Sequence, residues 1–189
     1  MRIIRYMNLP DREPHWVTEN RLSLLNPDNQ MRRHLVHSGS LTRKIVQSCS
    51  SQFRVDVVMQ KFSAINHSER QLLGLRSGST ANVRSVLLYC GEHPWVFAHT
   101  VIPHYALKRS LRRLTQLGNR SLGAVLHSSR VMERSTVEYA ELLPQHLLFQ
   151  EAAECLNRKP ASLWGRRILY QIDGDPLLVN EIFLPRFPN

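Results

Sequence analysis

The chain has 189 residues, 42% of them hydrophobic, and a formal net charge of +10. That length suits one domain spanning 1–189, since domains typically run ~100–200 residues. No apolar run approaches the ~18–20 residues needed to cross a bilayer. The opening MRIIRYMNLPDREPHW is broken by charges and prolines and lacks the apolar block of a signal peptide, so the expectation is a cytoplasmic protein without membrane insertion.

In chain order, residues Asn26–Gln47 have helical character, with Asn26-Pro27 starting it and Ser38–Ser40 breaking and recapping it. Arg54–Phe62 is rich in β-branched residues and predicts a strand. A short helix over Asn66–Leu73 and a Gly/Ser/Thr loop follow. Asn82–Cys90 and Trp95–Ile102, joined by Gly91-Glu92-His93-Pro94, predict a hairpin that Pro103 ends, because proline cannot donate to the ladder. Leu107, Leu111 and Leu114 predict a helix over His104–Leu117, stopped by Gly118-Asn119. Ser121–His127 is a short apolar stretch, Glu133–Ala140 alternates like a strand, and Pro144–Asn157 is helical. Trp164–Ile172 and Leu177–Leu184, joined by Asp173-Gly174-Asp175-Pro176, predict a second hairpin, closed by Pro185. The expected class is α+β, a mainly antiparallel sheet of about six strands packed with helices.

The two hairpins align without gaps. Arg84 falls on Arg166, Pro94 on Pro176, His99 on Glu181 and Pro103 on Pro185. Internal duplication and the ordinary likeness of buried hairpins both account for this. Within LLVNEIFL, period-2 patterning puts Leu177, Val179, Glu181 and Phe183 on one face and Leu178 and Asn180 on the other. A carboxylate on so apolar a face lies against solvent, has an ionic partner, or serves a site.

Cys49, Cys90 and Cys155 are far apart, with no CxxC or His/Cys metal spacing, so the expectation is three unpaired thiols in a reducing compartment and no metal. Only four of the 25 basic residues are lysine. Arginine matches carboxylates and phosphates in two-point contacts, which fits an anionic small molecule, a nucleic acid or a solvated basic surface. The run Lys108-Arg109-Ser110-Leu111-Arg112-Arg113 has no aromatic stacking set beside it and reads as a solvated face, so no nucleic-acid partner is expected.

Four pieces in order carry a family resemblance: GSLTRKI (Gly39–Ile45), WVFAHTVIP, LTQLGNRSLGAVL, and LWGRR followed by GDPLLVNEIFLP. Together they resemble bacterial chorismate pyruvate-lyase, over roughly Ser38–Pro185. The resemblance implies cleavage of chorismate to 4-hydroxybenzoate and pyruvate on the way to ubiquinone, without cofactor; a monomer is expected. It implies a six-stranded sheet with helices on one side and an enclosed pocket under helical flaps. It assigns ring-carboxylate binding to Arg84, ring-hydroxyl binding to Glu181, a backbone contact to Leu122 and an apolar flap contact to Leu41. Arg84 and Glu181 are thereby the expected catalytic residues.

The chain departs from the family pattern at two places. His99 stands where the family often has a second ligand-binding arginine, which makes it a candidate second anion contact. Residues 140–162 look like a helical insertion without chemistry of its own. Arg166 and Arg167 match the family's WGRR in an expected structural role. The competing reading is a non-catalytic sensor of aromatic carboxylates, a domain of the same fold found in transcription regulators.

Overall fold

The computed structural model describes residues 12–108, 111–123 and 132–188. Seven strands lie among them: β1 (Val17–Thr18), β2 (Phe53–Ala64), β3 (Thr80–Cys90), β4 (His93–Pro103), β5 (Met132–Leu142), β6 (Leu163–Ile172) and β7 (Asp175–Phe183). They form one antiparallel sheet in the order β1-β5-β6-β7-β4-β3-β2. Both predicted hairpins form. Asp173 and Gly174 have positive φ (51° and 82°), as the tight Asp-Gly turn between β6 and β7 requires. Pairing of β4 with β7 sets the two hairpins side by side.

The repeat is broken by one residue. β6 and β7 pair in constant register, but the β3–β4 register shifts between Leu88 and Tyr89, leaving Trp95 without a counterpart. A one-residue slip turns every later side chain to the other face. Arg166 therefore stands opposite Glu181, while Arg84 stands opposite Thr100 and His99 opposite Ser85.

Among the described residues four helices pack on the sheet: α1 (Asn29–Leu35), α2 (Leu41–Ser48), α3 (His67–Leu72) and α4 (Leu147–Ala153). Asp28, Ser40 and Asn66 cap the first three, each side chain accepting from backbone N–H groups of the first turn. The helix predicted over His104–Leu117 is instead a pair of 3-10 pieces, Ala106–Lys108 and Arg112–Gln116. Leu111, Leu114 and Leu117 are spaced by three, which aligns them in a 3-10 turn, and all are buried against Ile102 and Ile168. Arg109 and Ser110 of the basic run lie outside the described residues, as do residues 124–127 of the predicted apolar stretch.

Helices cover both faces rather than one. α1, α2 and the 3-10 segment lie over one face, with Leu41 and Ile45 packed near Val86 and Leu88. On the opposite face, Leu148, Phe149, Ala152 and Ala153 of α4 are buried with Leu87, Phe97 and Ile182. The thiol expectation is corrected: Cys49, just after α2, is disulfide-bonded to Cys90 at the end of β3. Pairing of Phe53 with Cys90 returns the chain beside Cys90, and the two Cα atoms are 5.6 Å apart. Their separation of 41 residues hid the pair in the sequence. Cys155 is free. No helix of the described residues is long and apolar enough to cross a membrane.

Candidate active site

A cavity of about 50 Å³ lies between the sheet and its first helical layer. Strand parity selects its floor: Arg84, Val86 and Leu88 from β3, Ala98 and Thr100 from β4, and Val179 and Glu181 from β7. Two segments roof it. One is the start of α2, Ser40-Leu41-Thr42, and the other is Ser121-Leu122-Gly123. The roofing segments touch at Gly123, where a Cβ would meet Thr42 Oγ1 at 2.9 Å.

Arg84 is 2% exposed. Its Nη2 donates to the carbonyls of Gly118 (2.8 Å) and Arg120 (3.2 Å), while its Nε has no partner. No carboxylate pairs with it among the described residues. Burial pulls its pKa below the ordinary arginine value. A guanidinium shut away without a counter-ion costs several kcal/mol unless an anion supplies one.

Glu181 is held from the other side. Arg166 Nε donates to its Oε2 at 2.5 Å. The same guanidinium donates through Nη1 to the carbonyls of His37 (2.6 Å) and Leu35 (3.1 Å) just beyond and at the end of α1. Arg166 thus fixes Glu181 and closes α1, leaving Oε1 unpaired among the described residues. Adjacent Arg167 points to the opposite face, where its Nε donates to Glu138 at 2.6 Å and its guanidinium lies 4.6 Å from the Trp16 ring centre. Each arginine of the WGRR pair meets its cross-strand glutamate.

The structure brings Leu41, Arg84, Leu122 and Glu181 to one cavity and leaves His99 out of it. The Trp95 bulge turns His99 to the opposite face, into a cavity of about 480 Å³. There Nδ1 lies 3.1 Å from Ser85 Oγ, and the ring is 3.5 Å from both Glu69 and Glu151 carboxylates. Asn180 Nδ2 also donates to Glu69 at 3.1 Å. Burial lowers the His99 pKa, but the two carboxylates outweigh it and the net shift is upward. Residues missed in the sequence are Thr100, Arg134 and Tyr170, which also line the Arg84–Glu181 cavity. Arg134 sits at the start of β5 opposite Tyr170, just before a register shift at Ser135 that an alternation count over Glu133–Ala140 smooths away.

The chorismate lyase family model matches residues 12–188. The chain belongs to that family. A "Probable chorismate pyruvate-lyase" of Nitrosospira multiformis is 41% identical over 151 residues, covering 80% of this chain and 84% of its own. A relative of the same name from Methylococcus capsulatus is 43% identical over 147 residues, covering 78% and 90%. Membership makes the chain a lyase. Among solved structures, PhnF from Mycobacterium smegmatis is similar in fold at a TM-score of 0.60 and 14% identity, covering 82% of this chain and 67% of that one. A GntR-family transcriptional regulator from Bacillus cereus gives 0.53 and 14%, covering 74% and 96%. At such identities the likeness is one of fold. The chorismate lyase family thus shares its antiparallel α+β architecture with domains of transcription regulators.

Proposed function

We propose that this lyase removes pyruvate from chorismate to leave 4-hydroxybenzoate, supplying the aromatic ring for ubiquinone. The observation that carries the proposal is the buried, unpaired Arg84 guanidinium across one cavity from Glu181. Arg84 binds the ring carboxylate in a two-point contact. Glu181, oriented by Arg166, accepts a hydrogen bond from the ring hydroxyl. Their backbones are two strands and two residues apart, roughly 12 Å at ~4.8 Å per strand and ~3.4 Å per residue, leaving room for one ring between the side chains. The backbone of Leu122 and the side chain of Leu41 cover the ring.

The chemistry asks little more of the protein. In chorismate the C4–H bond and the C3–O ether bond break together. The proton passes from C4 to the enolpyruvyl methylene, the ether oxygen becomes the ketone of pyruvate, and the new C3=C4 bond completes the aromatic ring. Aromatisation supplies the driving force, so the reaction requires neither nucleophile nor metal. Catalysis then consists of holding the dianion in a reactive conformer within preorganised charges. Product keeps both groups that Arg84 and Glu181 bind, and strong product inhibition follows. A cavity of about 50 Å³ is well below the ~300 Å³ at which small-molecule pockets begin, so ring entry requires the Leu41 and Leu122 segments to move. We read residues 1–189 as one cytoplasmic, monomeric unit with an added buttress. Its expected start at 140 is corrected, because Ala140–Leu142 belong to β5 and pair with β6, so the buttress begins at Leu143 and its helix is Leu147–Ala153.

The test is conversion. Purified protein mixed with chorismate in the presence of a chelator is expected to yield equimolar 4-hydroxybenzoate and pyruvate. Absence of both products, with 4-hydroxybenzoate still bound, would instead favour the sensor reading.

A further inference from the structure

Resting on that reading of the pocket, we propose that Arg134 is the binding residue for the second carboxylate, the one on the enolpyruvyl group that departs as pyruvate. A dianion needs a second cationic contact. Arg84 is committed to one end of the cavity by the carbonyls of Gly118 and Arg120. Arg166 is committed to Glu181 and the end of α1, and Arg167 and His99 lie on the other face. Arg134 is the remaining arginine that lines the cavity among the described residues.

Its surroundings suit an incoming anion. Nη2 donates to the Gly39 carbonyl at 3.1 Å, and Cζ lies 5.8 Å from the Tyr170 ring centre. No carboxylate pairs with it among the described residues. Its place in the sheet also fits the substrate's shape. The enolpyruvyl ether is attached next to the hydroxyl-bearing carbon, so it leaves the ring near Glu181 and off the line joining Glu181 to Arg84. Arg134, on β5, is two strands and four residues from Glu181 and four strands and two residues from Arg84, roughly 17 Å and roughly 20 Å between backbones at ~4.8 Å per strand and ~3.4 Å per residue.

Arg134 then engages substrate and leaving group but not the aromatic product. It fixes the enolpyruvyl arm over the C4 hydrogen it must receive and holds the negative charge of the departing carboxylate. It transfers no proton. Because Gly39 precedes the α2 cap Ser40, the same guanidinium also ties the bound arm to the roof of the cavity.

The experiment compares Arg134→Gln and Arg134→Lys with the wild type. Readouts are kcat/KM for chorismate, and affinity for 4-hydroxybenzoate and for 3-(carboxymethoxy)-4-hydroxybenzoate, a stable ring with a second carboxylate. Loss of one charged hydrogen-bonding contact is typically worth roughly tenfold to a hundredfold. Arg134→Gln is expected to lose that much kcat/KM, to bind 4-hydroxybenzoate within about twofold of wild type, and to lose the wild type's preference for the dicarboxylate, with Arg134→Lys restoring part of each. Equal weakening toward both ligands, or unchanged kcat/KM and preference, would overturn the proposal. A wild type that converts no chorismate would sink the lyase reading instead, and the two-ligand comparison would still decide whether Arg134 holds a second carboxylate.

Discussion

A guanidinium buried without a carboxylate is costly, and Arg84 carries that cost in the free protein. The cost is offset when a ligand carboxylate completes the pair. Arg84→Ala is therefore expected to weaken 4-hydroxybenzoate binding by ~1.5–3 kcal/mol, the range for a charged hydrogen bond, as titration calorimetry can measure. The substitution also leaves a cavity and removes the donor to the Gly118 and Arg120 carbonyls, so some loss of thermal stability is expected and the affinity is read on the folded protein. Glu181 was legible from parity alone, as an acid on an apolar strand face, and Arg84 became distinctive only through the family resemblance. His99 was expected at the pocket because it stands where the family often has a second arginine, but with Trp95 unpaired it falls on the opposite face of the sheet. Arg134 stayed invisible because nothing in its local pattern separates a pocket arginine from a solvated one.

At the scale of elements, both hairpins and the recapping at Ser40 could be read locally, because a turn or a cap is specified by a few adjacent residues. The Cys49–Cys90 pair could not, since only the β2–β3 register brings those residues together. This bond tethers the end of α2, whose first residue roofs the cavity, to the strand carrying Arg84. Closing a loop of 41 residues is worth about 4 kcal/mol by the chain-entropy relation. Cys49→Ser is thus expected to lower unfolding stability by up to that amount in denaturant titrations under oxidising conditions, with no difference from wild type under reduction. α4 lies on the far side of the sheet from the candidate site, so core truncation there, such as Phe149→Ala, should cost about 3–5 kcal/mol of stability. It should leave affinity for 4-hydroxybenzoate in the folded fraction unchanged.

Across the whole molecule, the sheet separates two buried polar systems. On the face opposite the candidate site, desolvation raises the Glu69 pKa above its ordinary 4.5. Burial lowers His99, yet Glu69 and Glu151 carry it above its ordinary 6.5. Both shifts mean that the folded state binds more protons than the unfolded chain, so stability falls as pH rises. For His99 the stabilising contribution is whole below 6.5 and is lost as pH climbs through its raised folded value. Denaturant titrations from pH 6 to about 9 are expected to show this decline, and His99→Asn to flatten it; an equal slope in the variant would show that His99 is not its source. The α+β class and hairpin arrangement followed from period-2 patterning, while helices on both faces emerged only with tertiary packing, because α3 and α4 are short and bury residues contributed by distant strands.

The proposed reaction needs a pocket with two chemically distinct ends, and comparing the wild-type affinities for 4-hydroxybenzoate and benzoate tests that most directly. If Glu181 receives the ring hydroxyl while Arg84 holds the carboxylate, 4-hydroxybenzoate will bind roughly tenfold to a hundredfold more tightly than benzoate, the worth of one charge-assisted hydrogen bond. It will also inhibit turnover of chorismate competitively. Equal affinities for the two acids would contradict the account.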